Sequence, residues 1–233
     1  MSLDILPEWD ELPEAMRNGQ VRRYYDMLSA KRTELRVKRA FDIALAFSLL
    51  VALSPALLAL GAAIKLDSKG PVFYRQTRFT TAMRPFGIHK FRSMSVGADK
   101  GLHLTSGNDP RVTRTGRFIR RYKLDELAQL ADVLAGDMSF VGTRPEVGEY
   151  VERYTPEMLA TLLLPAGITS SASVCYKDEA RLLQEAEDTQ AVYLEKILPD
   201  KMRYNLRDIE DFSLANDLKI MLRTALAVFT DRS

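Results

Sequence analysis

A run of 22 residues without a charge, residues 43–64, dominates the pattern of hydrophobic and polar positions along the chain. As a helix, this run would be roughly 33 Å long, which is comparable with the hydrocarbon thickness of a bilayer. Helices of that length that are apolar on all sides are rare in the core of a small soluble domain. The run therefore predicts a membrane segment.

Basic residues flank this segment at both ends, so the positive-inside rule predicts both flanks on the cytoplasmic side. Ser54 and Pro55 lie in its middle, where proline removes a helical hydrogen bond and Ser54 can cap the freed backbone group. We predict a re-entrant membrane helix over residues 37–66, broken at Ser54 and Pro55; a kinked span is the alternative. In the re-entrant arrangement, Lys38 and Arg39 are expected among lipid headgroups.

Residues 1–36 are predicted to form an N-terminal helical extension, with a helix over 9–36 and Asp10 as a candidate N-cap. Arg22, Arg23, Tyr24 and Tyr25 mix charge with aromatic rings, which is typical of amphipathic interfacial helices.

Residues 67–233 are predicted to form one soluble domain. Two runs rich in strand-forming residues, 72–79 and 86–94, predict a β-hairpin, and the glycine-rich stretch 95–116 predicts an irregular loop. Leucines at helical spacing predict a helix over 123–135 that ends at Gly136, and further helical patterns occur at 145–163, 178–198 and 214–229. The predicted fold class is therefore α+β, mostly helical with a small hairpin or sheet.

Charge is balanced overall but unevenly distributed. The 233 residues include 33 basic and 31 acidic ones, which argues against a protein that coats nucleic acid. Residues 65–123, however, carry 14 bases and three acids, which indicates a surface that meets phosphates; a merely solvated basic face is the alternative. The single cysteine, Cys175, excludes an intrachain disulfide and a cysteine-based zinc site.

Asp125 and Glu126 form an acidic pair at the start of a predicted helix, directly after six bases. One interpretation is complementation of the helix dipole together with surface ion pairs. The functional interpretation is that the helix N-terminus and the arginines hold a diphosphate while a carboxylate attacks phosphorus. That carboxylate would need a low pKa, and Asp125 and Glu126 would bind Mg²⁺, which prefers oxygen ligands.

Ordered motifs along the chain strongly resemble the bacterial sugar transferase family, the small monotopic phosphoglycosyl transferases of glycan and exopolysaccharide biosynthesis. These motifs are KRAFD (38–42), SP (54–55), GPVFYRQTR (70–78), KFRSM (90–94), DPRVTRTGRFIR (109–120), LDELAQLADVLAGDMSFVGTRP (124–145) and DLKI (217–220). The resemblance extends from Lys38 to the end of the chain, with departures such as Met83 in place of a common glycine.

The resemblance implies an enzyme at the cytoplasmic face of the inner membrane. In the implied reaction Asp125 attacks the sugar-bearing phosphorus of a UDP-sugar and releases UMP, after which undecaprenyl phosphate takes the phosphosugar from the carboxylate. Glu126 matches the partner associated with Mg²⁺. The residues expected to bind substrate are Lys90, Arg92, Arg111, Arg117, Arg120, Arg144 and Asp217.

The expected partners are the UDP-sugar, undecaprenyl phosphate and membrane phospholipids, and no nucleic acid; a homodimer is compatible with the sequence. Two other classes stay open: a membrane-bound hydrolase with water as the acceptor, and a non-enzymatic adaptor that binds anionic lipid. Glu179 and Lys177 are candidates for sugar or nucleotide contacts, and His89 is expected to be structural.

Overall fold

Ten α-helices and two small β-sheets make up the part of the chain that the computed structural model describes, which is residues 2–97, 111–184 and 188–230. Helices α1 to α10 are Gly19–Ser29, Arg32–Asp67, Arg114–Arg121, Leu130–Ala135, Gly148–Val151, Ser171–Cys175, Glu179–Gln184, Thr189–Val192, Leu198–Glu210 and Leu214–Thr230. Strands β1 to β4 are Phe73–Thr80, Arg84–Phe91, Met138–Val141 and Ala166–Thr169. Short 3₁₀-helices are Trp9–Glu11, Glu14–Met16, Thr81–Met83, Leu124–Gln129 and Met158–Leu162, and Tyr193–Ile197 is a π-helix. The predicted mostly helical α+β class is confirmed.

The apolar run lies in α2, which is 36 residues long and contains Pro55. The helix is not interrupted at the predicted break. Proline removes the donor that would pair with the carbonyl of Val51, and the Ser54 hydroxyl donates to that carbonyl at 2.8 Å. Only 6% of the most apolar 18-residue window of α2 is buried inside the protein, and its length and composition suffice to cross a membrane. Because α2 begins at Arg32, the predicted boundary after residue 36 falls inside the helix.

The first turns of α2 are anchored by buried charges. Lys38 Nζ lies 2.5 Å from a carboxylate oxygen of Asp217 in α10 and 3.9 Å from Asp42, one turn further along α2. Asp42 also accepts a hydrogen bond from the Ser139 hydroxyl in β3 at 2.7 Å. This network joins the apolar helix to the sheet and to the last helix of the chain.

Arg39 supplies a second anchor by capping α4. Its guanidinium donates to the carbonyl oxygens of Val133 and Leu134 at 2.6 and 3.0 Å, in the last turn of that helix. The helix ends where Gly136 adopts the left-handed conformation, as predicted. Lys38 and Arg39 are only 3% and 2% exposed, which contradicts their expected location among lipid headgroups.

Strands β1 and β2 form the predicted antiparallel hairpin, in a register that pairs Phe73 with Phe91 and Thr80 with Arg84. Ala82 and Met83 at its tip have positive φ angles of 53° and 55°. Met83 thus adopts a left-handed conformation, which is least strained for glycine.

The parallel pair β3 and β4 was not predicted from the sequence. Its register pairs Met138 with Ala166 and Val141 with Thr169, and all four residues of β3 are buried. Strands of four residues that are buried on both faces show no alternation of polar and apolar positions. This sheet packs with Ala46 of α2 and Ile220 of α10 in one core cluster.

The N-terminal extension folds back onto the soluble domain. Its buried residues share a core cluster with the 3₁₀-helix Met158–Leu162 and with α9. The predicted helix over 9–36 is confirmed only from Gly19 onwards, in α1 and the first residues of α2. Its predicted start is wrong, because two 3₁₀-turns precede α1 and the N-cap of α1 is Asn18, not Asp10. Tyr24 and Tyr25 are 3% and 5% exposed, so they face this core and not a membrane interface.

The remaining elements differ from prediction mainly in length. Helix α3 occupies the end of the stretch predicted as a loop, and residues 98–110 of that stretch lie outside the described residues. The predicted helix at 123–135 begins with a 3₁₀-helix, and the pattern at 145–163 contains only short pieces on either side of Pro156. Helix α10 is confirmed, whereas α9 was not predicted.

We expect Lys38→Met to lower the thermal unfolding temperature in detergent by about 10 °C or more, because Asp42 and Asp217 would stay buried without their shared cation. Asp217→Asn should cost less, since Lys38 keeps Asp42. The exposed ion pair of Arg207 and Asp211 provides the control, Arg207→Met, which should shift the temperature by no more than about 2 °C. A Lys38→Met protein as stable as the wild type would contradict the anchoring role.

Candidate active site

A cavity of about 520 Å³ opens between the hairpin, residues 92–97 and the 3₁₀-helix Leu124–Gln129. Six of the predicted site residues line it: Lys90, Arg92, Arg111, Arg120, Asp125 and Arg144. Among the described residues, eight bases and three acids line this cavity. The sequence-predicted basic surface is therefore partly a concave wall.

Asp125 reaches the cavity because of the turn before it. Lys123 has a φ of 51°, in the left-handed region, and separates α3 from the 3₁₀-helix that begins at Leu124. Asp125 lines the cavity, while Glu126 forms an ion pair with Arg144 at 2.6 Å. The two adjacent carboxylates thus have different surroundings.

The pKa values of the two acids move in opposite directions. Burial raises the pKa of Asp125, and the neighbouring charge of Glu126 raises it further. Burial would also raise the pKa of Glu126, but the charge and hydrogen bond of Arg144 outweigh it and the pKa of Glu126 is lowered. The expected low pKa is therefore found for Glu126 and contradicted for Asp125.

Lys90 is the base whose charge is most sensitive to its environment. Burial lowers the pKa of Lys90 to about 8, and the neighbouring charge of Arg144 acts in the same direction. Lys90 is thus protonated at neutral pH and loses its charge in mildly alkaline solution.

Arg92 has hydrogen-bond donors to spare. One terminal nitrogen donates to the backbone carbonyl and hydroxyl of Ser68 at 2.7 and 2.9 Å, at the end of α2. Within the described part of the chain, Nε and Nη1 are buried without an acceptor. Gly70 makes room for this side chain, since a Cβ there would lie 2.1 Å from Nη1. Such unsatisfied donors at a cavity wall suit an anion.

Of the three remaining predicted site residues, only Arg120 lies at the cavity; Arg117 and Asp217 do not. Arg120 lines the cavity and its Nε donates to the Ser93 hydroxyl at 3.0 Å. Arg117 lies on the exposed side of α3, where it donates to the carbonyl of Val112 at 3.4 Å. The structure does not bring Arg117 or Asp217 to the cavity, and Asp217 pairs with Lys38 instead.

Several cavity residues were not identified from the sequence: Arg75, Gln76, Arg78, Glu146, Tyr150, Tyr193 and Lys201. The first three belong to strand β1, where Gln76 and Arg78 are alternate positions on one face; alternation does not account for Arg75. Glu146 comes two residues after Arg144, whereas Tyr193 and Lys201 are distant in sequence and gave no signal. Of the two candidates at 177 and 179, Glu179 lines the cavity and Lys177 does not.

His89 has the structural role expected of it. Its Nδ1 lies 2.5 Å from a carboxylate oxygen of Asp132, and its backbone N–H donates to the other oxygen at 2.9 Å. These contacts join β2 to α4, beneath the cavity wall.

The donor set for a metal is limited to the adjacent acids. No group of three or more histidine, cysteine or acidic side chains among the described residues could hold a metal ion. Mg²⁺ commonly takes only one or two carboxylates and completes its shell with water and substrate phosphate. Asp125 and Glu126 therefore fit Mg²⁺ in company with a phosphate, and they do not fit an ion held by protein alone.

Comparison with known proteins assigns the class. The sequence pattern of the bacterial sugar transferase family matches residues 33–231. The exopolysaccharide production protein PSS of Rhizobium leguminosarum bv. phaseoli is 36% identical over 205 residues, which are 84% of this chain and 97% of that protein. The chain belongs to the bacterial sugar transferase family.

Two other relatives have more specific names. A UDP-glucose:undecaprenyl-phosphate glucose-1-phosphate transferase of Escherichia coli (strain K12) is 36% identical over 202 residues, 84% of this chain and 41% of that protein. A UDP-N-acetylgalactosamine-undecaprenyl-phosphate N-acetylgalactosaminephosphotransferase of Aeromonas hydrophila is 34% identical over 198 residues, which are 83% of this chain and 44% of that protein. The chain thus spans less than half the length of these two relatives.

We expect pyrophosphate, as a probe of the cavity, to bind roughly fivefold to tenfold more weakly when the pH rises from about 7 to about 9, because Lys90 loses its proton near pH 8. Isothermal titration calorimetry measures this change. In Lys90→Arg the guanidinium stays charged over this range, so the decrease should largely disappear. Lys65→Arg, at an exposed position outside the cavity, should behave as the wild type. An equal decrease in Lys90→Arg would assign the titration to another group.

Proposed function

We propose that this chain transfers a sugar-1-phosphate from a UDP-sugar to undecaprenyl phosphate through a covalent phosphosugar on Asp125. The observation that carries the proposal is the position of Asp125 in a cavity rich in lysine and arginine. The names of the Escherichia coli and Aeromonas hydrophila relatives support these substrates. The name of the Rhizobium relative supports a role in exopolysaccharide production, in which we place this chain at the first membrane step.

The reaction would proceed in two displacements at one phosphorus. A carboxylate oxygen of Asp125 attacks the sugar-bearing phosphorus, and the bond to the bridging oxygen breaks, so UMP leaves with the electron pair. An oxygen of undecaprenyl phosphate then attacks the same phosphorus. The acyl-phosphate bond breaks, the lipid diphosphosugar departs, and the Asp125 carboxylate is restored.

The bases of the cavity supply positive charge to the transferred group. Phosphoryl transfer depends mainly on positioning and on cations that neutralise spreading negative charge. Lys90, Arg92, Arg111 and Arg120 line the same cavity as Asp125 and are the candidates for this role. Lys90 and Arg144 favour the ionised, nucleophilic form of Asp125, whereas the negative charge of a bound diphosphate opposes it.

Mg²⁺ belongs to the proposal because the acidic pair fits it. Glu126 would hold the ion together with Asp125 and substrate phosphate, and the ion would add positive charge at the diphosphate. Arg144 orients Glu126 through its 2.6 Å contact and so fixes one side of the carboxylate pair.

Both ends of α2 pack against the same soluble domain, which supports a re-entrant path. Near its start, Lys38 pairs with Asp217; at its end, Asp67 accepts a hydrogen bond from the backbone of Thr115 at 2.8 Å. Several side chains between these ends, such as Phe47 and Leu58, are exposed, while others, such as Ala46, pack in the core. A helix that enters and leaves one leaflet keeps both ends on the cytoplasmic side.

Two further surfaces suit the same membrane face. The rings of Phe118 and Tyr122 on α3 lie 4.8 Å apart and are exposed beside arginines, as in an interfacial helix. Leu218, Leu222 and Leu226 form an exposed stripe at four-residue spacing on α10. Phospholipids are the partners that such apolar surfaces next to α2 would contact.

We expect Asp125→Glu to reduce UMP release from UDP-sugars by at least about a hundredfold, because the carboxylate is displaced by one methylene from the reacting phosphorus. Mass spectrometry of wild-type protein trapped with donor should locate the phosphosugar on Asp125. The control is Asp26→Asn, which removes an exposed carboxylate of α1 and should leave turnover unchanged.

The products separate this transferase from the alternatives. Lipid diphosphosugar formed with undecaprenyl phosphate supports the transferase, whereas free sugar phosphate as the main product would indicate a hydrolase. A turning-over preparation without any adduct on Asp125 would contradict the covalent route.

The membrane path can be tested by cysteine labelling in a Cys175→Ser background. Thr33→Cys and Leu66→Cys introduce exposed thiols near the two ends of α2. We expect an impermeant maleimide to label both in inside-out vesicles and neither in spheroplasts. Arg203→Cys, exposed in the soluble domain, is the reference for the cytoplasmic side. Labelling of one end from each side would establish a spanning helix.

A further inference from the structure

The cavity differs in charge from one wall to another. Glu146, Glu179, Tyr150 and Tyr193 form an acidic and aromatic wall, in which Arg78 lies 3.8 Å from Glu146 and Lys201 lies 2.9 Å from Glu179. Each carboxylate of this wall is thus balanced by a base, so the wall offers a diphosphate no excess of positive charge. The acidic and aromatic wall therefore suits a neutral part of a ligand that carries hydroxyl groups.

Glu179 is the carboxylate of this wall that the cavity exposes. Its side chain is 27% exposed and accepts a hydrogen bond from Lys201 Nζ at 2.9 Å. Lys201 is 6% exposed and also lies 4.0 Å from Glu146, which is 8% exposed and accepts from the Tyr193 hydroxyl at 2.7 Å. Glu146 thus has its partners within the protein, while Glu179 is held by Lys201 and lines the cavity.

Tyr150 gives the same wall an aromatic surface. Its ring packs on the ring of Tyr193, with centroids 4.8 Å apart and planes inclined by 39°. Tyr150 is only partly buried, so it presents a surface to the cavity beside Glu179. Burial raises the pKa of Tyr150, and the nearby charges of Glu146 and Glu179 raise it further.

We propose that Glu179 and Tyr150 bind the sugar of the donor, with Glu179 accepting hydrogen bonds from its hydroxyl groups and Tyr150 packing on its apolar face. Lys201 is a positioning residue for Glu179. This inference rests on the proposed function, and it assigns to Glu179 the choice among UDP-sugars. A ribose also carries hydroxyl groups, so the experiment must separate the sugar from the nucleoside.

The test compares Glu179→Gln with the wild type in turnover of UDP-glucose and UDP-galactose, whose sugars differ only in the orientation of one hydroxyl group. It also compares the inhibition of both proteins by UMP, which lacks the transferred sugar. We expect kcat/KM for the preferred donor to fall about tenfold or more and the ratio between the two donors to change. The inhibition constant of UMP should stay within about twofold.

Glu149→Gln is the matched control, because this substitution removes the same charge. Glu149 is exposed and accepts a hydrogen bond from Gln190 outside the cavity. Tyr150→Leu provides a second variant that leaves the buried pair of Lys201 and Glu179 intact, and it should weaken donor use without altering UMP inhibition; Tyr150→Phe should retain donor use. Thermal unfolding of each variant establishes that it is folded.

Three outcomes overturn the inference. Unchanged kinetics in both Glu179→Gln and Tyr150→Leu, with an active wild type, would remove the sugar subsite and leave the proposed function intact. Equal weakening of donor and UMP would place the nucleoside at this wall. A wild type that releases no UMP from any UDP-sugar would overturn the proposed function and this inference with it.

Discussion

The buried contact of Lys38 with Asp217 is the interaction on which the rest of the structure depends. It fixes the apolar helix to α10, and the adjoining Asp42 fixes the same helix to Ser139 of β3. The chain that leaves β3 carries Arg144, and Arg144 holds Glu126 beside Asp125. A continuous series of contacts and chain segments therefore runs from α2 to Asp125, the proposed nucleophile.

The cavity assigns different tasks to chemically similar groups through their surroundings. Glu126 is neutralised by Arg144, whereas Asp125 faces the cavity and has a raised pKa. Glu126, which pairs with Arg144, is suited to binding, and Asp125, which lines the cavity, is suited to the proposed attack once cations and substrate surround it. Glu179 shows the same principle elsewhere in the cavity, where Lys201 orients it without removing its capacity to accept hydrogen bonds.

Local patterns predicted the elements that local interactions determine. The uncharged run predicted α2, two runs rich in strand-forming residues predicted the hairpin, and Gly136 predicted the end of α4. The motif resemblance grouped Lys90, Asp125 and Arg144 in advance. Long-range packing determined the rest. Lys38 and Arg39 looked like headgroup contacts because their acceptors lie far along the chain, and Lys201 joins the cavity through contacts that no spacing in the sequence indicates.

The separation of 179 residues between Lys38 and Asp217 has a consequence for biosynthesis. A ribosome that adds roughly 5–20 residues per second needs on the order of 10 s or more to make the intervening chain. The apolar helix is thus available to lipid well before the aspartate that secures its first turns has been translated. Insertion of α2 into lipid, as proposed above, can therefore precede the contact with Asp217 that secures this helix to α10.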